Sequence, residues 1–169
     1  MLRHLTGRVT GYERALRVIG RRLDSEPSYH ASITEVPEGF TLRWHAVQHK
    51  SDAQMAVVTW AQVLNLGVLN SAARATGRKR RRHQGLWEHF PTGHEDFFRA
   101  LGHVLDSESA ANVSIDELQD GLSVGYARLA GDGTGDYERC HRMYGRDEVT
   151  MMLEEAVSRR GSAGSRGIA

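Results

Sequence analysis

Residues 10–44, TGYERALRVIGRRLDSEPSYHASITEVPEGFTLRW, and residues 92–126, TGHEDFFRALGHVLDSESAANVSIDELQDGLSVGY, are two versions of one segment. Aligned at a constant offset of 82 without gaps, 13 of the 35 positions are identical. A recurrence of this extent at a fixed spacing predicts a tandem duplication, and two copies are too few for a solenoid. The identical positions are Thr10/Thr92, Gly11/Gly93, Glu13/Glu95, Arg17/Arg99, Gly20/Gly102, Leu23/Leu105, Asp24/Asp106, Ser25/Ser107, Glu26/Glu108, Ser32/Ser114, Ile33/Ile115, Glu35/Glu117 and Gly39/Gly121.

Each copy is predicted to begin with an amphipathic helix. Thr10 with Glu13, and likewise Thr92 with Glu95, fits the T-x-x-E capping box at a helix start. The apolar positions that follow have helical spacing; they are Tyr12, Leu16, Ile19 and Leu23, then Phe98, Leu101 and Leu105. A glycine inside a helix costs about 1 kcal/mol relative to alanine. Its recurrence in both copies indicates that another backbone approaches closely there, and the hairpin that follows is the expected neighbour.

A hairpin is predicted after each helix. Its first arm is expected at residues 31–36 and 113–118, with Glu38-Gly39 and Asp120-Gly121 in the turns. In the second arm apolar residues alternate with polar ones, which predicts one buried and one wetter face; the apolar set is Phe40, Leu42 and Trp44, then Leu122, Val124 and Tyr126.

The remainder of each copy is predicted to contain a third strand and a closing helix. The strand is expected near residues 54–60 and 137–144, since Val57-Val58-Thr59 is a β-branched cluster. The alternative is one long helix from Asp52 to Thr76, in which case the repeated unit is α-β-β-α and not α-β-β-β-α. The closing helices are expected in VLNLGVLNSAARATGRKR and DEVTMMLEEAVSRRGSAG.

These elements predict an α+β protein, a tandem duplication of an α-β-β-(β)-α unit. We expect an antiparallel sheet with helices on one face and a pseudo-twofold arrangement of the units. The first repeat, which is basic, is predicted at 1–77, a basic and aromatic linker at 78–91, the acidic second repeat at 92–160 and a flexible Gly/Ser-rich tail at 161–169.

The order α-β-β-β-α resembles that of double-stranded RNA-binding domains, in topology alone. The second helix of that family has a lysine-rich start that grips phosphates. Here the corresponding segments are the acidic RDEVTMMLEEA and the uncharged QVLNLGVLNSA. This departure counts against double-stranded RNA binding by either copy, and the residues themselves identify no family.

Composition narrows the class of protein. The chain has 169 residues, 40% of them hydrophobic and 25% charged, which is typical of a soluble globular protein. Its single cysteine excludes an intrachain disulfide and favours a reducing, cytoplasmic setting. No run approaches the roughly 18 apolar residues that a membrane span requires. We therefore expect a cytoplasmic protein without membrane association.

The net charge of +1 hides an asymmetry between the two parts of the chain. Residues 1–83 hold 14 Lys and Arg against 6 Asp and Glu, whereas residues 84–169 hold 8 against 15. Such a division predicts either a polyanionic partner for the basic part or complementary association of the two parts, within one chain or between chains.

A run of cations between the repeats is the strongest local signal for binding. It predicts a nucleic-acid or other polyanion site, because adjacent cations neutralise phosphates and a neighbouring aromatic ring can stack on a base. The alternative is a solvated linker that docks on the acidic second repeat. The predicted nucleic-acid-binding residues are Arg78, Lys79, Arg80, Arg81, Arg82 and Trp87.

Patterns for catalysis, cofactors and metals are weak. Cys140 could act as a nucleophile with His141 or a distant histidine, but the first copy has no cysteine at the matching place. As metal ligands, Cys140 and His141 would point to opposite faces of a strand. The sequence has neither a glycine-rich nucleotide-binding motif nor a zinc-ligand pattern. The recurring carboxylates, Asp24/Asp106 and Glu35/Glu117, could do acid–base work or could cap helices and pair across hairpins. We predict no catalytic, cofactor or metal residues.

The expected function is therefore a non-catalytic binding or assembly protein, such as a protein-interaction module or an accessory subunit. A protein partner or self-association is expected. Nucleic-acid or polyanion binding through the basic repeat and linker is the first alternative. A small-ligand or enzyme site at the junction of the repeats is the second.

Overall fold

A computed structural model describes residues 10–25, 28–46, 53–65, 93–131 and 135–164 of the chain. Two halves, residues 10–65 and 93–164, contain the elements in the same order. They are α1 (Tyr12–Asp24), β1 (Ser28–Val36), β2 (Gly39–Ala46), β3 (Ala53–Thr59), a helical segment α2 (60–65), α3 (His94–Ser107), β4 (Ala111–Leu118), β5 (Gly121–Leu129), β6 (Tyr137–Gly145) and α4 (Arg146–Gly164).

The six strands form one antiparallel sheet in the order β3-β2-β1-β4-β5-β6. The prediction of an α+β protein with an antiparallel sheet is confirmed, and so are the third strands β3 and β6. The halves meet at the centre of the sheet, where β1 pairs with β4 and Ile33 lies opposite Ile115. These two isoleucines occupy corresponding positions in the sequence alignment.

One face of the sheet carries the core. Alternate residues of β1, β2, β4 and β5 are buried against α1 and α3, and residues from both halves belong to a single hydrophobic cluster. The predicted stripes are found there; Leu16, Ile19, Phe98 and Leu101 are fully buried. The opposite face of the sheet is called the open face here, because most of its side chains are exposed or half-buried.

The hairpin turns differ by one residue from the prediction. The turn residues are Pro37-Glu38 and Gln119-Asp120, and each glycine is the first residue of the next strand. The reason lies in the neighbouring strand. A Cβ on Gly39 would collide with the carbonyl oxygen of Val58 in β3, and Gly121 is placed the same way against Tyr144 in β6. Glycine therefore lets the third strand approach.

The closing helices are described in part. α2 begins at Trp60, and the rest of the segment predicted to be helical lies outside the described residues. α4 continues to Gly164, four residues into the segment where we predicted a flexible tail. Across the described ranges, no helix is both long enough and apolar enough to cross a lipid bilayer.

Candidate functional site

Each long helix of the core is capped by a carboxylate from the other half. The backbone N–H groups of Tyr12 and Glu13 donate to Asp106 at 2.8 and 2.9 Å. Those of His94 and Glu95 donate to Asp24 at 2.9 and 3.0 Å. Carboxylates are favoured at helix N-termini because the first amides have no partner within the helix and the helix dipole is positive there.

This arrangement corrects the predicted capping box. The N-cap residues are Gly11 and Gly93, so Thr10 does not occupy that position, and Thr92 lies outside the described residues. A Cβ on Gly11 would lie within 2.6 Å of an Asp106 oxygen, so glycine makes room for the incoming carboxylate. The glutamate expected to reach back to its own helix start instead pairs with the opposite helix.

α1 and α3 cross with their backbones in contact. A Cβ on Gly20 would lie 2.6 Å from the Cα of Glu95, and one on Gly102 would lie 2.6 Å from the Cα of Glu13. The expected close approach is therefore present, but the expected neighbour was wrong: the approaching backbone is the start of the other helix and not the hairpin that follows.

Ion pairs border this crossing in both directions. Arg17 and Arg21 donate to Glu95 at 3.1 and 2.7 Å, and Arg99 donates to Glu13 at 3.0 Å. Burial raises the pKa of Glu13, but Arg99 and His103 outweigh it and hold the pKa below its usual value. Some of the basic charge of the first half is thus engaged by the second half.

A second pair of carboxylates, Glu35 and Glu117, is bound at the centre of the sheet beside matching β-bulges. The register shifts between Tyr29 and Ser32 in β1, and between Ala111 and Ser114 in β4. His30 and Asn112 both take positive φ, 51° and 53°, the left-handed region that asparagine adopts more readily than most residues.

The residue after each bulge donates its amide across the junction. The Ala31 N–H donates to Glu117 at 3.2 Å, and the Val113 N–H donates to Glu35 at 2.9 Å. Each glutamate therefore binds the backbone of the other half, and the bulge aims the amide at it.

The first residues of α1 and α3 complete these contacts by different chemistry. The Tyr12 hydroxyl donates to Glu35 at 2.5 Å. At the corresponding place, His94 lies between two carboxylates, with Nδ1 3.1 Å from Asp24 and Nε2 3.4 Å from Glu117. The His94 side chain has 0% exposure and that of Glu117 has 1%.

The charge state of His94 is set by opposing effects. Burial lowers the pKa of His94, but hydrogen bonds to Asp24 and Glu117, together with their negative charge, raise the pKa above its ordinary value. A protonated imidazole donates from both nitrogens, whereas a neutral one donates from one. The carboxylate–histidine cluster, Asp24, His94 and Glu117, therefore favours the protonated form. Because it has no exposed imidazole surface, it cannot act on a substrate in this conformation.

The sequence-predicted binding residues fall elsewhere. Residues 78–82 and Trp87 lie outside the described residues. Cys140 is half-buried on the helix-bearing face, where it lies opposite Tyr126, and His141 is on the open face, where its Nε2 is 2.8 Å from the Ser123 hydroxyl. Within the described ranges, no group of three or more His, Cys, Asp or Glu side chains is arranged to hold a metal ion, the carboxylate–histidine cluster included.

A shallow groove runs over β4, β5 and β6 on the open face, lined in part by Asn112, Ser114, Tyr137 and Arg139. On the helix-bearing face nearby, Glu108 accepts from the Tyr126 hydroxyl and pairs with Arg142 at 2.7 Å. Burial and the hydrogen bond to Glu108 raise the pKa of Tyr126, so it stays protonated.

Sequence reasoning did not find His94. The alignment identifies Asp24, Glu117 and their counterparts because they recur, but position 94 is where the copies differ. The available signal was that Tyr12 and His94, both able to donate from a ring, occupy the same position. Neither a protein-family model, nor a curated protein, nor a solved structure matches this chain.

Proposed function

We propose that the chain is a non-catalytic binding or assembly protein built from two homologous repeats in a pseudo-twofold arrangement. One observation carries the proposal: the carboxylates common to both copies are used in contacts between the halves. Asp24 and Asp106 cap the opposite helices, and Glu35 and Glu117 accept backbone amides across the sheet junction. A paired set that stabilises a scaffold in this way supports a structural role for the duplication.

The junction also supports a scaffold role in preference to a ligand site. Backbone contacts through Gly20 and Gly102 fill the space between α1 and α3. The open face and the two outer strands of the sheet offer the surface for a protein partner.

The experiment is a mass measurement on the full chain, alone and after isolation from its source cells. We expect either self-association in light scattering or a protein partner at fixed stoichiometry in native mass spectrometry, reproduced with the purified partner. A monomer without a reconstitutable partner would contradict the proposal.

Polyanion binding is the second candidate, favoured by the six adjacent basic and histidine residues 78–83. Affinity for mixed DNA and RNA should fall steeply with salt, since each phosphate contact releases counterions. Replacement of Arg80, Arg81 and Arg82 with serine should weaken binding and reduce that salt dependence. Unchanged binding by the triple variant, or no binding of the wild type at low salt, would exclude this function.

A further inference from the structure

The two outer strands of the sheet differ in how they are protected. β6 carries Glu138, Arg139 and Arg142, and charged side chains discourage pairing of an edge with another strand. β3, with the sequence AQMAVVT, has neither a charge nor a proline. Met55 is 76% exposed and Val57 is 56% exposed on its open-face side. Such an edge is a template for a further strand.

The backbone of β3 faces outward at these same residues. The Trp60 N–H donates to the Glu38 carbonyl at 3.0 Å, which fixes the alternation of the ladder with β2. Every second residue counted back from Trp60 therefore points its backbone groups at β2. Those of Met55 and Val57 point away, toward the free edge, and β2 is the one strand that pairs with β3 in the described ranges. Consistently, the outward Thr59 N–H is satisfied by the Gln62 side chain at 2.9 Å.

We propose that β3 pairs antiparallel with β3 of a second copy of this chain, centred on Ala56. This inference rests on the proposed assembly function and names the partner. In that register Met55 faces Val57 of the partner subunit and Val57 faces the partner's Met55. Both are residues with outward backbone groups, so the two pairs make four intermolecular main-chain hydrogen bonds.

The side chains fit this register on both faces. The exposed methionine and valine form apolar cross-strand pairs on the open face, where such pairs stabilise a sheet. Ala56 meets the partner's Ala56 on the helix-bearing face at the non-hydrogen-bonded position, where strands bring Cα atoms to about 4.5 Å and a small side chain fits. No charge is buried by the contact, and the result is a continuous twelve-stranded sheet across a twofold axis.

Each whole chain already contains a pairing of the same kind. β1 and β4 meet antiparallel with the corresponding residues Ile33 and Ile115 opposite each other. The proposed contact repeats this geometry at the outer edge with identical strands.

The first test is the mass of the full chain by light scattering, over about 1 µM to about 500 µM, because a contact through a single strand edge is expected to be small and therefore weak. The wild type should dimerise. Val57→Pro should weaken the dimer by about 100-fold, since it removes an outward N–H and leaves the bonds to β2 intact. Met143→Lys, a control substitution at a similarly exposed residue on β6, should leave the dimer constant unchanged.

The register is tested by oxidative cross-linking in a Cys140→Ser background, in which an introduced thiol is the chain's single cysteine. Ala56→Cys should form an intermolecular disulfide, because about 4.5 Å between Cα atoms lies within the range for such a bond. Gln54→Cys should not, because its two copies would lie more than about 13 Å apart. Circular dichroism checks that each variant is folded, and if Val57→Pro is unfolded the cysteine pair decides.

The outcomes separate the two proposals. A wild type that dimerises equally well as Val57→Pro, or that cross-links through Gln54→Cys and not Ala56→Cys, overturns the β3 contact and leaves assembly in place. A monomer that binds a different protein does the same. A monomer without any protein partner contradicts both.

Discussion

The two halves place Tyr12 and His94 at corresponding positions, yet these residues hold their carboxylates by different chemistry. Tyr12 gives one hydroxyl to Glu35. His94 contacts two carboxylates and is itself ionisable. The same framework is therefore held by a neutral group in the first half and by a titratable one in the second. The halves share the carboxylates that accept backbone amides, and they differ at the ring that binds those carboxylates, which is Tyr12 in one half and His94 in the other.

The largest expected loss of stability comes from replacing the glycine that both halves place at the helix crossing. Gly20→Ala and Gly102→Ala should each lower the free energy of unfolding by about 3 kcal/mol, because the new Cβ would meet backbone, which cannot move aside cheaply. This loss exceeds the gain of about 1 kcal/mol from better helix propensity. Chemical denaturation measures it.

The control for these variants is Gly145→Ala, where the nearest atom to the added Cβ is 3.8 Å away. It should change stability by less than about 0.5 kcal/mol. If the two helix variants were as stable as this control, the helices would not be in backbone contact.

Removal of the two caps should lower the free energy of unfolding by different amounts. Asp106→Ala is expected to cost about 1–2 kcal/mol, the effect of losing an N-cap carboxylate. Asp24→Ala should cost about 1 kcal/mol more than Asp106→Ala, because it removes a cap and also one partner of the buried His94. Urea unfolding of both variants at one pH compares them. Equal losses would mean that the contact between Asp24 and His94 contributes nothing.

The titration of His94 should appear in the pH dependence of stability. Its pKa is raised in the folded state above the ordinary value of 6.5. The stabilisation is therefore complete below about pH 6.5 and is lost as pH rises through the folded pKa. We expect the stability difference between wild type and His94→Gln to shift against the wild type along this rise.

Tyr12→Phe is the matched control for that experiment. It removes the hydroxyl bond to Glu35 without removing a group that titrates near neutrality, so its difference from wild type should be independent of pH between about 6 and about 8. A pH-dependent difference for Tyr12→Phe, or a flat one for His94→Gln, would assign the titration to other groups.

The ion pairs at the crossing should contribute least. Arg99→Ala and Arg17→Ala are each expected to cost about 0.2–1 kcal/mol, because the pairs are partly exposed and screened by solvent. The Arg17 change should be the smaller one, since Arg21 still binds Glu95. Thermal unfolding at low and high salt tests this, and a larger loss for Arg17 would show that the two arginines do not share the pair.

Periodicity was sufficient to predict most of the fold. The helix stripe around Leu16, the alternation around Leu42 and the β-branched cluster at Val57 each indicate a local preference for helix or strand. The structure has the predicted element at each of these places. The turn positions were off by one residue because the glycine is required by β3 and β6, which are distant from the turn in the sequence.

The contacts that join the two halves, including the carboxylate–histidine cluster, could not be predicted from local patterns. Asp106 caps a helix that begins 94 residues earlier, and a capping box within the same segment was the simpler interpretation of Thr10 and Glu13. The alignment did show that Asp24 and Glu117 recur. What it could not show is that each acts on the opposite half, since that depends on how the halves pack.

The exchanged caps also constrain the order of folding during synthesis. The start of α1 waits for Asp106, a residue made 94 positions later, before two of its amides are satisfied. Contacts of such long sequence separation slow folding, since loop-closure entropy is spent before they form. The first half therefore emerges from the ribosome before its own cap exists. The first half lacks this cap until the second half is made, and we expect both halves to acquire protection from hydrogen exchange in one step.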